Sequence, residues 1–76
     1  METSLNCLQP GVWAVVTGVG VQPGTARRLR DFGLVPGTAV CCRYKNPGSS
    51  VMAVECRGAV FALRSRDAAK IRVVEP

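Results

Sequence analysis

The 76-residue sequence contains no histidine. Histidine is the commonest general base in enzymes and the commonest ligand of transition metals, so its absence removes the usual starting point for both kinds of site. The five acidic residues are scattered singly, and no two have the spacing that would set up acid and base roles. These gaps predict a protein that is not an enzyme and that has neither a cofactor nor a set of metal ligands.

Cysteine occurs four times, but never in the Cys-x-x-Cys spacing of zinc, iron–sulfur and thioredoxin-like sites. Cys41 and Cys42 are adjacent in a predicted strand, where neighbouring side chains point to opposite faces and do not readily hold one ion. We interpret Cys42 and Cys56 as small buried hydrophobic residues. Cys41 is expected to be an exposed thiol.

Aromatic residues make up only 5% of the chain, which is few for a protein that binds single-stranded nucleic acid by stacking. No apolar run approaches the roughly 20 residues that span a bilayer, and residues 1–6 lack the basic region of a signal peptide. We therefore expect a cytosolic protein that is not inserted into the membrane. In that compartment its cysteines are expected to be free thiols.

Hydrophobic residues and positive charge are abundant. Hydrophobic residues form 47% of the chain and charged residues only 20%, which predicts that residues 1–76 fold as a single domain. Ten Lys and Arg residues against five Asp and Glu residues give a formal charge of +5. Such a charge favours an anionic partner, which is a nucleic acid, an anionic membrane surface or an acidic protein face.

The densest positive cluster lies within residues 26–37, ARRLRDFGLVPG. Apolar residues recur here every three positions, which predicts a short helix with one apolar side, formed by Ala26, Leu29 and Phe32. The remaining surface of this helix carries Arg27, Arg28 and Arg30. We predict that Thr25 is the N-cap and that Gly33 is the C′ residue with a positive φ. Pro36 and Gly37 then predict a type II turn.

Two explanations of the three arginines are open. In the predicted helix, Arg27 and Arg28 lie near the N-terminus and Asp31 near the C-terminus, where the macrodipole disfavours their charges unless they pair with one another. A segment that breaks a local rule can serve something other than its own stability. The helix is therefore either a solvated surface or a partner-binding surface, and the second is favoured because no other segment offers comparable chemistry.

The rest of the chain has the alternation of short β-strands. We predict strands at residues 12–17, 38–45, 51–57, 60–64 and 71–74, a hairpin loop at 46–50, and one helical turn at 66–70 capped by Ser65. Trp13 either covers a second small apolar cluster or is an exposed aromatic at a contact surface, and the first is favoured. Tyr44 and Phe61 are expected to face the core. Five short strands favour a small, partly closed β-barrel, because closure removes exposed strand edges. The predicted fold is all-β, with one short α-helix between the first two strands and a single helical turn before the last.

Several of these segments resemble the FeoA family, ferrous iron transport protein A. The most specific is residues 28–37, RLRDFGLVPG, which matches an Arg-Leu-x-x-x-Gly-Leu-x-Pro-Gly pattern. Weaker agreement is found at residues 11–16, 61–64 and 68–73, so that the resemblance extends from about residue 8 to residue 74. It implies an SH3-like small barrel, in agreement with the predicted order of strands.

The resemblance also implies a cytosolic accessory protein of bacterial ferrous iron uptake. Its partner would be the ferrous iron permease of the Feo system, a membrane protein with a cytoplasmic GTPase domain, and it would regulate uptake without itself carrying iron. The motif and the basic helix together define the expected partner-binding residues, which are Arg27, Arg28, Arg30, Leu34, Val35 and Pro36. Structural roles as plug, cap and turn are expected for Leu29, Phe32, Gly33 and Gly37.

Two other functions stay open from the sequence. A small basic barrel that binds nucleic acid is consistent with the net charge, although no nucleic acid partner is expected from the family resemblance. Direct binding of a transition metal through Cys41 and acidic residues is the other alternative.

Overall fold

The computed structural model of the protein describes residues 1–46, 48 and 50–75. Six antiparallel strands form one sheet with the spatial order β1-β6-β2-β3-β4-β5. In chain order the elements are β1 (Glu2–Ser4), a 3-10 turn (Leu5–Cys7), β2 (Trp13–Val19), α1 (Pro23–Asp31), β3 (Ala39–Lys45), β4 (Val51–Cys56), β5 (Ala59–Arg64), α2 (Ser65–Ala68) and β6 (Ile71–Val74). The all-β fold with two short helices, predicted from the sequence, is confirmed.

One hydrophobic core lies inside the curved sheet. The core contains alternate residues of the strands, residues of both helices and of the 3-10 turn, and one residue each from the loops after the 3-10 turn and after α1. Its members are Leu5, Leu8, Ala14, Val16, Leu29, Leu34, Val40, Cys42, Met52, Val54, Cys56, Leu63, Ala68, Ile71 and Val73. Strands expose every second side chain on the opposite face, which is why the alternating pattern predicted most of this set. The inward positions predicted for β4, at Met52, Val54 and Cys56, are confirmed.

The sequence-based prediction of five strands missed β1. Residues 2–4 carry little intrinsic preference for a strand, and their conformation depends on β6, with Glu2 opposite Val74 and Ser4 opposite Arg72. An ion pair joins the Glu2 Oε1 atom to the Arg72 Nη2 atom at 3.4 Å. Pairing with a strand 70 positions away cannot be read from a local pattern, because strand propensity depends on the tertiary surroundings.

The helix α1 begins three residues earlier than predicted. Gln22 is its N-cap and Pro23 its first residue, so the prediction of Thr25 as the N-cap was wrong. Proline suits the first helical position because its fixed φ is helical. It has no backbone N–H, but an N–H at this position would have no hydrogen-bond partner within the helix. Thr25 is instead the third residue of α1.

The predicted end of α1 is confirmed in detail. Gly33 has a φ of +87°. Its N–H donates to the Arg30 carbonyl at 2.9 Å, and the Leu34 N–H donates to the Leu29 carbonyl at 2.9 Å. These two bonds form a Schellman motif, whose usual apolar contact is supplied by the buried Leu29 and Leu34.

The predicted turn after α1 is also present. The Thr38 N–H donates to the Val35 carbonyl at 3.1 Å, and Gly37 has a φ of +95°. Pro36 and Gly37 thus occupy the central positions of a type II turn, where a positive φ is needed at the second. The Gly37 N–H continues to the Val16 carbonyl at 2.7 Å, which attaches the turn to β2.

Phe32 does not fill the core as the every-third-residue pattern suggested. Its side chain is 43% exposed, and its ring stacks on Phe61 with the centroids 4.4 Å apart and the planes at 14°. Phe61 itself is partly buried against the core, as predicted. The pair covers the core from outside, because Leu29 and Leu34 already occupy the space beneath α1.

Three predictions of side-chain burial on β2 and β3 were wrong. Trp13 is 44% exposed and Tyr44 is 59% exposed, whereas Cys41 is fully buried. A β-bulge between Cys42 and Tyr44 shifts the register and places Tyr44 opposite Ala53 on the outer face of the sheet. Cys41 lies between its cross-strand neighbours Trp13 and Glu55, which cover it from solvent even though it does not face the core.

The predicted helical turn before the last strand is present with a shifted start. Ser65 is the first residue of α2 and Arg64 is its N-cap, so the predicted capping role of Ser65 was wrong. The Ser65 N–H donates to the Ser50 carbonyl at 2.7 Å, and α2 packs against β5 and the 3-10 turn. The predicted hairpin loop at 46–50 contains Pro47 and Ser49, which lie outside the described residues.

Substitution of Gly33 by alanine is expected to destabilise the fold by about 1 kcal/mol or more, because an L-residue is disfavoured at this positive φ. An added Cβ would also collide with the Cδ atom of Arg57. Denaturant unfolding followed by circular dichroism measures the change. Repeating Gly33→Ala in an Arg57→Ala background separates the effect of the positive φ from that of the collision. If the positive φ is the main cause, most of the loss in the free energy of unfolding should persist in that background.

Gly24→Ala is the matched control for this experiment. Gly24 lies in α1, and an added Cβ there has nothing within 4 Å. Alanine is the better helix former, so this variant should be as stable as the parent or slightly more stable. Equal stability of Gly33→Ala and the parent would contradict the role assigned to Gly33.

Candidate partner-binding surface

A shallow groove, the α1 groove, lies where α1, the following turn and the end of β2 meet. It has a volume of ≈ 200 Å³ and is lined by Val19, Ala26, Arg30, Leu34, Val35 and Pro36. Four of these residues belong to the predicted partner surface, namely Arg30, Leu34, Val35 and Pro36. Leu34 is buried and forms the floor, while Val35 is half-buried and Pro36 is exposed. The groove combines an apolar lining with one guanidinium group.

The geometry of α1 separates the three predicted arginines. At about 100° per residue, Arg30 and Ala26 lie about 100° and 60° from the buried Leu29 on the side of the groove. Arg28 lies about 100° away on the opposite side, and Arg27 about 160° away, on the face farthest from the core. All three side chains are exposed. The structure thus brings only Arg30 together with Leu34, Val35 and Pro36, and leaves Arg27 and Arg28 outside the groove.

The earlier start of α1 changes the electrostatic interpretation of its charges. Arg28 and Arg30 lie in the last turn of the helix, where the macrodipole favours cations. The argument that misplaced arginines reveal a function therefore does not hold for these two residues. Only Asp31, the last residue of α1, has a charge that opposes the dipole.

Within the described residues, no carboxylate forms an ion pair with the arginines of α1. The ion pairs among the described residues are Arg43 with Glu55, Arg64 with Asp67, and Arg72 with Glu2. Asp31 forms no ion pair with Arg27 or Arg28 within that part of the chain, although it follows them by four and three residues. Arg30 therefore keeps its charge available at the edge of an apolar groove.

Two residues of the groove were not identified from the sequence. Val19 lies beyond the strand predicted at residues 12–17 but is the last residue of β2, and Ala26 was assigned to the apolar side of the helix without a role in a site. Neither is chemically distinctive. Their contribution depends on how β2 approaches α1, so no local signal could have identified Val19.

The cysteines and acidic residues of the described part of the chain are not grouped as metal ligands. Among residues 1–46, 48 and 50–75, no group of three or more His, Cys, Asp and Glu side chains is arranged to hold an ion. The Cys41 thiol donates instead to the Cys42 carbonyl at 3.5 Å. Burial raises the pKa of the Cys56 thiol, an effect that the nearby Arg57 partly offsets. Cys7 is the exposed cysteine.

No helix in the described part of the chain has both the length and the apolar character needed to cross a bilayer. Large apolar side chains are exposed on the sheet, at Trp13 and Val15 of β2 and at Val60 of β5, and also at Phe32 after α1. Exposed aromatic residues are thus distributed over three elements, with Trp13 on β2, Tyr44 on β3 and Phe32 at the end of α1.

The structure is that of a small antiparallel β-barrel domain, with an apolar groove beside Arg30, which has no ion-pair partner among the described residues. The FeoA domain profile matches residues 3–75, so the chain belongs to the FeoA family, which is linked to ferrous iron transport. The family resemblance and the SH3-like fold expected from the sequence are confirmed.

Solved structures agree with this assignment. The FeoA protein from Chlorobium tepidum is 33% identical, with a TM-score of 0.91 over 96% of this chain and 70% of that one. A FeoA from Stenotrophomonas maltophilia, solved with zinc and described as a procaryotic SH3 domain protein, is 33% identical, with a TM-score of 0.81 over 93% and 88% of the two chains.

A more distant similarity concerns the fold alone. A manganese-dependent transcriptional repressor is 18% identical, with a TM-score of 0.88 over 99% of this chain and 42% of that one. A comparison with curated protein sequences gives no match.

The burial of three cysteines predicts their reactivity. In the native protein, one thiol should react quickly with an aromatic disulfide reagent, because Cys7 is exposed and the other three are buried. The other three should react only after unfolding, since a buried thiol lacks access and Cys56 has in addition a raised pKa. The absorbance of the aromatic thiolate that the reagent releases measures both the fast reaction of the native protein and the reaction after unfolding. A Cys7→Ser variant should lose the fast phase alone, and fast reaction of a second thiol would contradict the burial of Cys41.

Proposed function

We propose that this protein is a cytosolic accessory protein of bacterial ferrous iron uptake and that it binds the cytoplasmic, GTPase-containing part of the Feo permease. The observation that carries the proposal is the α1 groove, in which the RLRDFGLVPG motif supplies Arg30 and three of the apolar lining residues, Leu34, Val35 and Pro36. The similar protein from Stenotrophomonas maltophilia is described as a candidate activating factor of ferrous iron transport. The role proposed here is regulatory binding by one FeoA domain formed by residues 1–76, without catalysis and without insertion into the membrane.

The α1 groove fits a partner segment in which an apolar side chain lies next to a carboxylate. A volume of ≈ 200 Å³ accommodates little more than one large apolar side chain. Burial of such a side chain stabilises a complex by about 1.5–3 kcal/mol, and a carboxylate would pair with Arg30 at the edge. The groove therefore supplies specificity and part of the affinity.

Arg27 and Arg28 are proposed to act at the rim of the same interface. Both are exposed and unpaired among the described residues, so they can attract an acidic surface over a distance. Rim charges affect the association rate and its dependence on salt more than the final affinity. The three arginines are thus proposed to have unequal effects, with Arg30 the largest.

Reversal of charge at Arg30 is expected to weaken binding to the cytoplasmic domain of the permease by about tenfold, which corresponds to about 1.4 kcal/mol. Val35→Asp should have a similar effect because it places a carboxylate in the apolar lining. Arg27→Glu and Arg28→Glu should each change the affinity by only a few-fold, as expected for exposed charges. Calorimetry with the purified cytoplasmic domain measures these affinities.

Arg66→Glu is the charge-matched control. Arg66 is exposed, lies in α2 and does not line the α1 groove, so its reversal changes the net charge of the protein equally. Affinity that falls to the same extent in Arg30→Glu and Arg66→Glu would show a nonspecific effect of net charge. Unchanged affinity in Arg30→Glu and Val35→Asp, with an intact fold, would exclude this surface.

A further inference from the structure

A second cavity, the α2 cavity, lies at the N-terminal end of α1 and does not share a lining residue with the α1 groove. It has a volume of ≈ 240 Å³ and is lined by Gln22, Thr25, Arg64, Arg66, Asp67 and Lys70. None of these residues lines the α1 groove. We propose that the α2 cavity binds a small, soluble, phosphate-bearing anion.

The lining of the α2 cavity comes from four segments that the fold brings together. Gln22 and Thr25 lie at the start of α1, Arg64 ends β5, Arg66 and Asp67 belong to α2, and Lys70 precedes β6. The loop before α1 is held against this region, because the Gly20 N–H donates to the Lys70 carbonyl at 2.8 Å. The site therefore depends on the tertiary structure.

The charge of the lining matches a phosphate group. Three cations and one carboxylate give a net charge of +2. The carboxylate of Asp67 is paired with Arg64, with 3.6 Å between the Nε and Oδ2 atoms, which leaves Arg66 and Lys70 as the uncompensated cations. A phosphate monoester carries about −1.5 to −2 charges at neutral pH.

The hydrogen-bond donors of the lining also favour phosphate over a carboxylate. Among the described residues, the side chains of Gln22, Thr25, Arg66 and Lys70 have no hydrogen-bond or ion-pair partner. They offer an amide, a hydroxyl, a guanidinium and an ammonium group from different directions. A carboxylate presents two oxygens in one plane, whereas a phosphate presents three or four oxygens in a tetrahedron that such a set can surround.

Thr25 becomes free for this role because α1 begins at Pro23. Its hydroxyl would be occupied if Thr25 were the N-cap, but the N-cap is Gln22, whose own side chain forms no capping hydrogen bond. Both polar groups therefore line the cavity without a competing partner in the described part of the chain.

Arg64 and Arg66 also line a neighbouring cavity of ≈ 300 Å³ together with Ser50. A ligand whose phosphate occupies the α2 cavity thus has room to extend past these two arginines. The proposed class is accordingly a pyrophosphate or a phosphate ester rather than inorganic phosphate alone, and its binding does not depend on the proposed permease contact.

The test is a titration of the full chain, followed by amide chemical shifts, with inorganic phosphate, pyrophosphate and sn-glycerol 3-phosphate at 150 mM NaCl. Saturable shifts are expected at Thr25, Arg66 and Lys70, with pyrophosphate binding most tightly. Arg66→Gln and Lys70→Gln should each weaken pyrophosphate binding at least fivefold. Asp67→Asn removes the negative charge of the lining and should tighten binding two- to threefold, a gain that damage to the fold would not produce.

Arg27→Gln is the control, because it removes one exposed positive charge outside the cavity, and it should leave pyrophosphate binding unchanged. Equal weakening by Arg27→Gln and Arg66→Gln, or shifts that rise linearly and spread over all arginines, would overturn the proposal by showing only nonspecific attraction. Sedimentation with phosphatidylglycerol vesicles tests the other source of phosphate. Binding to vesicles that requires Arg66 and Lys70, without saturable binding of the soluble anions, would also overturn it.

Discussion

The hydrogen bond from the Leu34 N–H to the Leu29 carbonyl, made possible by the positive φ of Gly33, is the contact on which the rest of the site depends. It reverses the chain at the end of α1 and directs both leucine side chains into the core. The chain then returns to β2, where the Gly37 N–H and the Val16 N–H form bonds with the Val16 and Thr38 carbonyls. Without that reversal, α1 would have no fixed position between two strands that pair with each other, and the α1 groove would lose its floor.

Much of the fold was predictable because its signals are local. The glycine after the helix, the Pro36–Gly37 turn and the alternation of β4 each follow from the conformational preferences of a few neighbouring residues. β1, the outward position of Tyr44 and the burial of Cys41 were not predictable in this way. They depend on pairing with β6, on a bulge and on the cover given by Trp13 and Glu55, all of which are set by strands distant in sequence.

The residues of the candidate site likewise differ in whether local sequence signals could identify them. Arg30, Leu34, Val35 and Pro36 are close in sequence and close in space, so a motif could identify them together. Arg27 and Arg28 are equally close in sequence, but the helical rotation of about 100° per residue carries them to other faces. Val19 enters the groove only through the path of β2. A basic cluster in a sequence thus predicts a positively charged surface. The structure is needed to show which arginine of the cluster lies beside apolar residues.

Both surfaces are built on α1, so the helix sets how one can influence the other. Leu29 is buried beneath α1 and the ring of Phe32 stacks on Phe61, and both contacts oppose a tilt of the helix. At a rise of about 1.5 Å per residue, Arg30 lies about 12 Å farther along the helix axis than Gln22 and about 7.5 Å farther than Thr25. These separations are close to the Debye length of about 8 Å at physiological ionic strength, so a bound anion would influence Arg30 through an electrostatic effect that added salt weakens. Mechanical coupling between the two sites would instead require a change in the fold of α1 itself, and the Schellman motif at Gly33 opposes such a change.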